Sequence, residues 1–366
     1  MIGFITTDFT HLPDGRFMPG GCGYYRCALP MAVSGQRAHM GRIAWDAARG
    51  FGIRDTDTTG LFGFKTILLK LVMDRWTPWQ IEQAKSLGQR IIVDVDDYYA
   101  GLPESNKAFD MTHPEKNKRT NREYYATVIA LADTVTVSTP FLLEHHSKTH
   151  SDVRLVRNGI LPTQFPQRKH RSTKPIIGWA GAVDYRGGDL ETLRGWLPDF
   201  LEEHDLMFHH AGHSPTSPSF ADVAGINPER LTVSPLMPID RYAAMLQFDI
   251  GIVPLNDIPF NHAKSNIKGL EYAASGIPFV AGATPEYQLL ADSGVGHVAG
   301  SDTEWVTHME DLLDYPVRKR ESAISRKKVL SDWSIQARAA EWQEVFERGL
   351  SNMLPIKTLT VPYTRV

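Results

Sequence analysis

The chain has 366 residues, 42% of them hydrophobic and 22% charged, with 39 Lys and Arg against 42 Asp and Glu and a formal net charge of −3. It is longer than one core usually grows, so two domains are expected. The globular balance excludes fibrous and disordered classes, and the charge supplies no overall field for nucleic acid or an anionic membrane.

In chain order, the N-terminus reads directly as a strand, Ile2–Thr6, with no basic leader and no cleavage site ahead of it. Cys22 and Cys27 follow in a glycine-rich stretch. Two cysteines are too few for a disulfide framework and fit a reducing compartment. No apolar run reaches the ~20 residues that span a bilayer, because Lys65 and Lys70 interrupt the nearest, Leu61 to Met73. A cytoplasmic protein without stable membrane insertion is expected.

Further strands are predicted at Thr66–Leu71, Arg90–Val95, Thr134–Val137 and Val153–Val156, with helices near Pro78–Leu87 and Thr120–Ala132. The polar, basic stretch Thr163 to Lys174 reads as a linker. Alternation then restarts. Strands are predicted at Pro175–Ala180, Leu206–His210, Leu231–Val233, Ile250–Pro254 and Pro278–Ala281. Helices are predicted at Asp189–Glu203, Ile239–Leu246, Ser265–Ala274, Thr303–Leu313 and Ile335–Leu350. Strand–helix alternation implies parallel sheets covered on both faces. The expected fold class is therefore α/β, two Rossmann-like doubly wound domains facing a cleft. Their boundaries are predicted at 1–165 and 175–332, with a C-terminal helix and tail, 333–366, returning to the first. Such sheets bind ligands at the carboxyl ends of their strands.

The most informative segment is Asp249 to Ala281, DIGIVPLNDIPFNHAKSNIKGLEYAASGIPFVA. An apolar strand runs into a polar loop, Ser265 stands at a helix N-cap position, and Lys264 and Lys268 flank it. Helix N-termini present unpaired N–H groups and partial positive charge, which suits a diphosphate. Glu271, further along the helix, is placed to accept two hydrogen bonds from a ribose diol. Without more, a plain βαβ unit with surface lysines explains the spacing equally well.

The segment resembles the donor-binding signature of glycosyltransferase family 4 and its relatives, in which a Lys-Ser pair opens a helix, a Glu follows, and then Ala-x-Gly-x-Pro-Val-Val. The match here is Lys264-Ser265, Glu271 and Ala274-Ser275-Gly276-Ile277-Pro278-Phe279-Val280. Three further blocks resemble the family: Ile177-Gly178-Trp179-Ala180-Gly181, Ala132 to Thr139, and Val156-Arg157-Asn158-Gly159. So does the last helix with Trp333 and Trp342. The resemblance implies the GT-B fold and sugar transfer from a nucleotide-diphosphate sugar of UDP or GDP type. No cofactor and no metal are implied, and retention of configuration is the default.

By resemblance, Glu271 holds the ribose, and Lys264, Ser265 and Asn266 meet the phosphates and sugar. Gly181 lets the donor approach, Arg186 stands near a phosphate-binding lysine of the family, and Lys268 and Gly212 belong to the same side. Arg186 and Lys264 would stabilise the leaving diphosphate. Many retaining members carry a second glutamate, and that position is Ala263 here. The first domain would hold the acceptor, through Gly21, Gly23, Tyr25 and Arg26, with His113 from a later loop and Asp96 and Asp97 in catalytic positions. The acceptor itself is open: a glycan, a protein side chain, a lipid or a modified nucleobase.

Asp94-Val95-Asp96 also matches the Asp-x-Asp metal motif of the rival GT-A fold. That fold would leave the Lys264–Glu271 helix and the second domain unexplained. His209, His210 and His213 cluster without the thiols or carboxylates of a zinc set. The basic runs Arg168–Lys174 and Arg318–Lys328 read as solvated surface. Two other functions fit the same architecture: a non-catalytic nucleotide-sugar-binding module, and a nucleotide-sugar epimerase.

Overall fold

The computed structural model describes residues 1–11, 17–54, 60–171 and 173–347. The chain divides into two compact units. The first comprises residues 1–100, 110–159 and 335 onward, and the second residues 101–109 and 160–334. The division at 165 read from the sequence did not anticipate that Gly101–Phe109 belongs with the second unit. There, Lys107 pairs with Asp184 (3.1 Å) and Asn106 donates to the Tyr185 carbonyl (3.0 Å).

In the first unit, β1 (Ile2–Thr6) is followed by a short ribbon, β2 (Phe9–His11) with β3 (Phe17–Pro19). Then come β4 (Ala38–Asp46), β5 (Gly50–Arg54), β6 (Thr66–Lys70), β7 (Arg90–Val95), β8 (Thr134–Val137) and β9 (Val153–Leu155). The sheet order is β5-β4-β1-β6-β7-β8-β9, parallel except for the antiparallel β4–β5 pair. The central strands are apolar runs without alternation, because helices cover both faces of a parallel sheet. Ile67, Leu68, Leu69, Ile91, Ile92 and Val93 are all fully buried.

The second unit holds β10 (Ile176–Ala180), β11 (Met207–His213), β12 (Leu231–Pro235), β13 (Ile250–Val253), β14 (Phe279–Gly282) and β15 (His297–Ala299). They pair in the order β12-β11-β10-β13-β14-β15, all parallel. This is the doubly wound order in which strand succession reverses beside the first strand, and ligands bind where it reverses. The reversal falls between β10 and β13 in this unit, and between β1 and β6 in the first.

Several elements differ from the sequence expectation. The hairpin β4–β5 has glycines at 41, 50 and 52 and no clean alternation, so its strand signal was absent. The helix expected over Asp189–Glu203 is a 3-10 run, Leu190–Gly195, followed by the helix Leu197–Glu203. Gly195 weakens the first run and Pro198, tolerated only in a first turn, starts the second. Ile239–Leu246 is likewise split into a 3-10 turn and the single helical turn Tyr242–Met245. The basic run Arg318–Lys328 lies on the helix Tyr315–Asp332, whose inner face buries Arg318, Ser322, Ser325 and Val329. The last helix is described over Ala339–Glu347; residues 348–366 of the tail expected over 333–366 lie outside the described residues.

Candidate functional site

The loop after β13 leads into the helix Ile267–Ala274 at the point where the second sheet reverses order. Its N-cap is Asn266, not Ser265 as the sequence suggested. Asn266 is buried and donates from Nδ2 to the Glu286 carbonyl (3.1 Å). That bond ties the turn to the first turn of the helix Pro285–Asp292. Ser265 and Lys264 stand in the turn before it, half-buried, with the Lys264 ammonium 4.2 Å from the centre of the Phe260 ring.

From this helix, residues one turn apart reach the end of β10. The Tyr272 hydroxyl accepts the Ala180 N–H (2.8 Å), and the Lys268 ammonium donates to the Ala180 carbonyl. Lys268 and Tyr272 are four residues apart, so they lie on one helix face. That spacing is visible in the sequence, yet only Lys268 was singled out and its reach to β10 was missed. Glu271, 95% buried, lies beside them. Desolvation pushes the Lys268 ammonium down to about 8, with Glu271 opposing and Arg186 and Lys264 adding to the fall. Glu271, Arg186 and Lys264 thus lie within electrostatic reach of Lys268.

Gly181 continues β10 with φ +156°, and Gly212 on β11 has φ +108°. A Cβ on Gly181 would stand 2.7 Å from the Trp179 ring, and one on Gly212 2.9 Å from the Gly181 carbonyl oxygen. Both positions therefore require glycine: the two backbones touch. Arg186 follows, 3.8 Å from Asp189. Asp189 was not singled out from the sequence. It accepts the Asn256 N–H (3.1 Å) and the Asn261 amide (2.6 Å), tying the loop after β10 to the loop after β13. Burial raises the Asp189 carboxyl, while Arg186 and these hydrogen bonds pull it down.

Where the first sheet reverses order, β1, β6 and β7 end together. Arg26 is 99% buried. It donates to both Asp94 oxygens (2.7–3.1 Å), to the Val156 carbonyl (2.7 Å) and to the Asn158 side chain (3.1 Å). Lys70, fully buried, pairs with Asp94 (3.2 Å) and with Asp96. Thr136 donates a further hydrogen bond to Asp94 (2.7 Å). Two cations and two carboxylates neutralise each other inside the unit, the condition under which buried charge is tolerated. Burial pushes the Asp96 carboxyl up, but Lys70 and Cys22 outweigh it and hold Asp96 below the usual carboxylate range.

This geometry corrects two expectations. Arg26 and Tyr25 are interior and present nothing to an acceptor; Arg26 acts by holding Asp94. The glycine-rich segment is not an open loop but a helical stretch, Gly21–Gly23 continuing through Tyr24–Ala28 to Leu29–Val33. The Asp8 carboxylate occupies its N-terminal end, accepting the Gly23 N–H (2.8 Å). A Cβ on Gly23 would lie 2.8 Å from the Asp8 carbonyl, whereas Gly21 has open space around it. Asp94 is fully enclosed, so it is not placed to share a metal with Asp96. Asp97 is half-buried near Tyr99, whose hydroxyl burial and Asp97 push up. His113 closes a turn, its Nδ1 accepting the Glu115 N–H (3.3 Å). Among the described residues no group of three His, Cys, Asp or Glu is arranged to hold a metal, and no helix is long and apolar enough to cross a membrane.

Two histidines add a pH dependence to stability. Burial lowers both His146 and His210 to about 4, from an ordinary value of 6.5. The neutral form is favoured in the folded state, so their contribution is complete above pH 6.5 and is lost as pH falls towards 4. The expected slope is about 1.4 kcal/mol per pH unit per histidine. Urea unfolding at pH 7.0 and 5.2 checks this: equal stability at the two values would refute it.

No family model matches the chain, and no curated protein matches it in sequence. Solved structures do resemble it in fold. Sucrose-phosphate synthase from Thermosynechococcus elongatus has a TM-score of 0.66 at 13% identity, over 95% of this chain and 98% of that one. A glycosyltransferase from Rickettsia africae gives 0.62 at 11% identity, covering 96% and 98%. Anabaena HepE, solved in complex with UDP-glucose, gives 0.63 at 10% identity, covering 95% and 100%. The fold is therefore that of GT-B glycosyltransferases, with two Rossmann-like units.

Proposed function

We propose that the chain transfers a sugar from a nucleotide-diphosphate sugar, of UDP or GDP type, to an acceptor, as a family-4-like GT-B enzyme. The observation that carries this reading is Lys268, which reaches from its helix to the Ala180 carbonyl at a strand end where a doubly wound sheet binds its ligand, with Glu271, Arg186 and Lys264 in electrostatic reach of it. Support comes from the fold neighbours, among them a protein solved with UDP-glucose.

In this reading Glu271 takes the ribose diol. Arg186, Lys264 and the Asn266-capped helix start face the diphosphate, and negative charge develops there as the glycosidic bond to the leaving phosphate breaks. Fixed cations and backbone N–H groups stabilise that charge without reorganising. Gly181 and Gly212 keep the wall free of side chains. The acceptor hydroxyl attacks from the donor's own face, its proton passing to the leaving diphosphate, which gives retention. Asp96, held ionised by Lys70, and its neighbour Asp97 are assigned to the acceptor side.

Titration of the chain with UDP, GDP and dTDP tests the donor assignment: binding of none of the three would sink it. Because cationic side chains serve the diphosphate here, donor hydrolysis is expected to persist in EDTA at more than about half its untreated rate. Strict dependence on added Mn2+ would reverse that reading. A second reading, binding without turnover, is favoured by one observation: Ala263, fully buried, stands where many retaining relatives place a second glutamate. Tight nucleotide-sugar binding with no hydrolysis and no transfer would select it.

A further inference from the structure

The turn Ala180–Gly181 has all four of its backbone polar groups satisfied, and side chains satisfy three of them. Ala180 N–H goes to Tyr272, the Ala180 carbonyl to Lys268, Gly181 N–H to the Ala211 carbonyl (2.8 Å), and the Gly181 carbonyl to His210 Nε2 (2.9 Å). His210 is 99% buried on β11 and stacks on Trp179, ring centres 5.2 Å apart and 24° from parallel.

The carbonyl can only accept, so Nε2 carries the proton and the neutral ring has a bare Nδ1. Nδ1 is buried with no hydrogen-bond partner among the described residues. An unmet buried acceptor costs about 1–3 kcal/mol. A phenyl ring in this place would stack on Trp179 equally well and carry no such cost, but it would leave the Gly181 carbonyl unmet. The one thing an imidazole adds over a phenyl is the hydrogen bond that orients the Gly181 carbonyl. That orientation matters because Gly181 and Gly212 are in backbone contact at positive φ, so a rotation of the Gly181 peptide moves the wall on both strands.

We propose that His210 is a positioning residue for the donor site: its Nε2–H, given to the Gly181 carbonyl, fixes the glycine turn against which the nucleotide sugar lies. The inference rests on the donor-site reading above and adds to it a residue that touches no substrate. The clustered histidines of β11 divide accordingly. His209 is held by Thr232 (2.9 Å) and Ser234 (3.0 Å), whereas His210 bonds to the Gly181 carbonyl.

Two substitutions separate packing from positioning. His210→Phe keeps the stacked ring and removes the donor. His210→Gln gives up the ring and restores an N–H. With UDP, GDP and UDP-glucose as probes, His210→Phe is expected to weaken nucleotide binding and raise the donor KM about tenfold, the value of one hydrogen bond. kcat should change less, and His210→Gln should recover most of the loss. Wild-type affinity in His210→Phe, or equal damage in both variants, overturns the positioning role. A wild type that binds no nucleotide overturns the donor-site reading itself and the donor role of His210 with it. If His210→Phe does not fold, imidazole 15N shifts of the wild type decide: a neutral ring protonated on Nε2 that responds to nucleotide supports the inference, and an Nδ1-protonated ring refutes it.

Discussion

Arg26→Ala is expected to lower the unfolding free energy by about 3–5 kcal/mol, the cost of stranding a buried carboxylate. Asp94 would lose the guanidinium that contacts both its oxygens, keeping only Lys70 and Thr136. The Val156 carbonyl and Asn158 would lose their donors, and the Trp342 ring, 4.8 Å from the guanidinium, its cation. Against a total of about 5–15 kcal/mol for a typical domain this is a large fraction. Arg26→Lys should recover little, since an ammonium cannot bridge both carboxylate oxygens and two further acceptors. Chemical unfolding with a first-unit probe measures the change. A loss below about 1 kcal/mol would mean that the network is solvated. Nucleotide affinity, which the proposed function assigns to the other unit, should be retained while the protein is folded.

Glu271→Ala is expected to reduce nucleotide affinity by at least about a hundredfold, because in the proposed site it would remove two charge-assisted hydrogen bonds worth about 1.5–3 kcal/mol each. Glu271→Gln, which keeps the size and one acceptor oxygen, should retain part of that affinity. Calorimetric titration with the nucleotide that the wild type binds is the measurement, alongside a melting curve to show that the fold survives. Unchanged affinity in Glu271→Ala would remove Glu271 from the ribose. Glu271 also opposes the depression of Lys268. Its removal should therefore lower the lysine further and make residual binding weaken at a lower pH than in the wild type.

The two predictions differ in how far the sequence could carry them. Glu271, Lys264 and Lys268 sit within eight residues of each other on a strand–loop–helix segment. Local spacing therefore grouped them, and the helix keeps them together whatever surrounds it. Arg26, Asp94, Lys70 and Asn158 are spread over more than 130 residues of sequence. Arg26 was legible as a charged residue beside glycines, which suggested exposure, and nothing local marked it as interior. Asp189 and Tyr272 were not singled out for the same reason: each acts on a backbone group of a different strand or loop.

The sequence by itself determined the class of fold, and it marked Lys264, Lys268 and Glu271 as a local group whose donor role came only from the family resemblance. The fold class is written in short-range periodicity: unbroken apolar runs for strands buried on both faces, and a strand–helix alternation that restarts after a linker. Only the tertiary structure decided which charges face inward. Burial is set by which strands become neighbours, and the order β5-β4-β1-β6-β7-β8-β9 brings the ends of β1, β6 and β7 together only after folding. There Lys70, Asp94 and Arg26 neutralise each other, and Asp8 accepts the Gly23 N–H at the start of a helical stretch. A buried charge must find its partner at close range, and the partner's position in the chain carries no local mark.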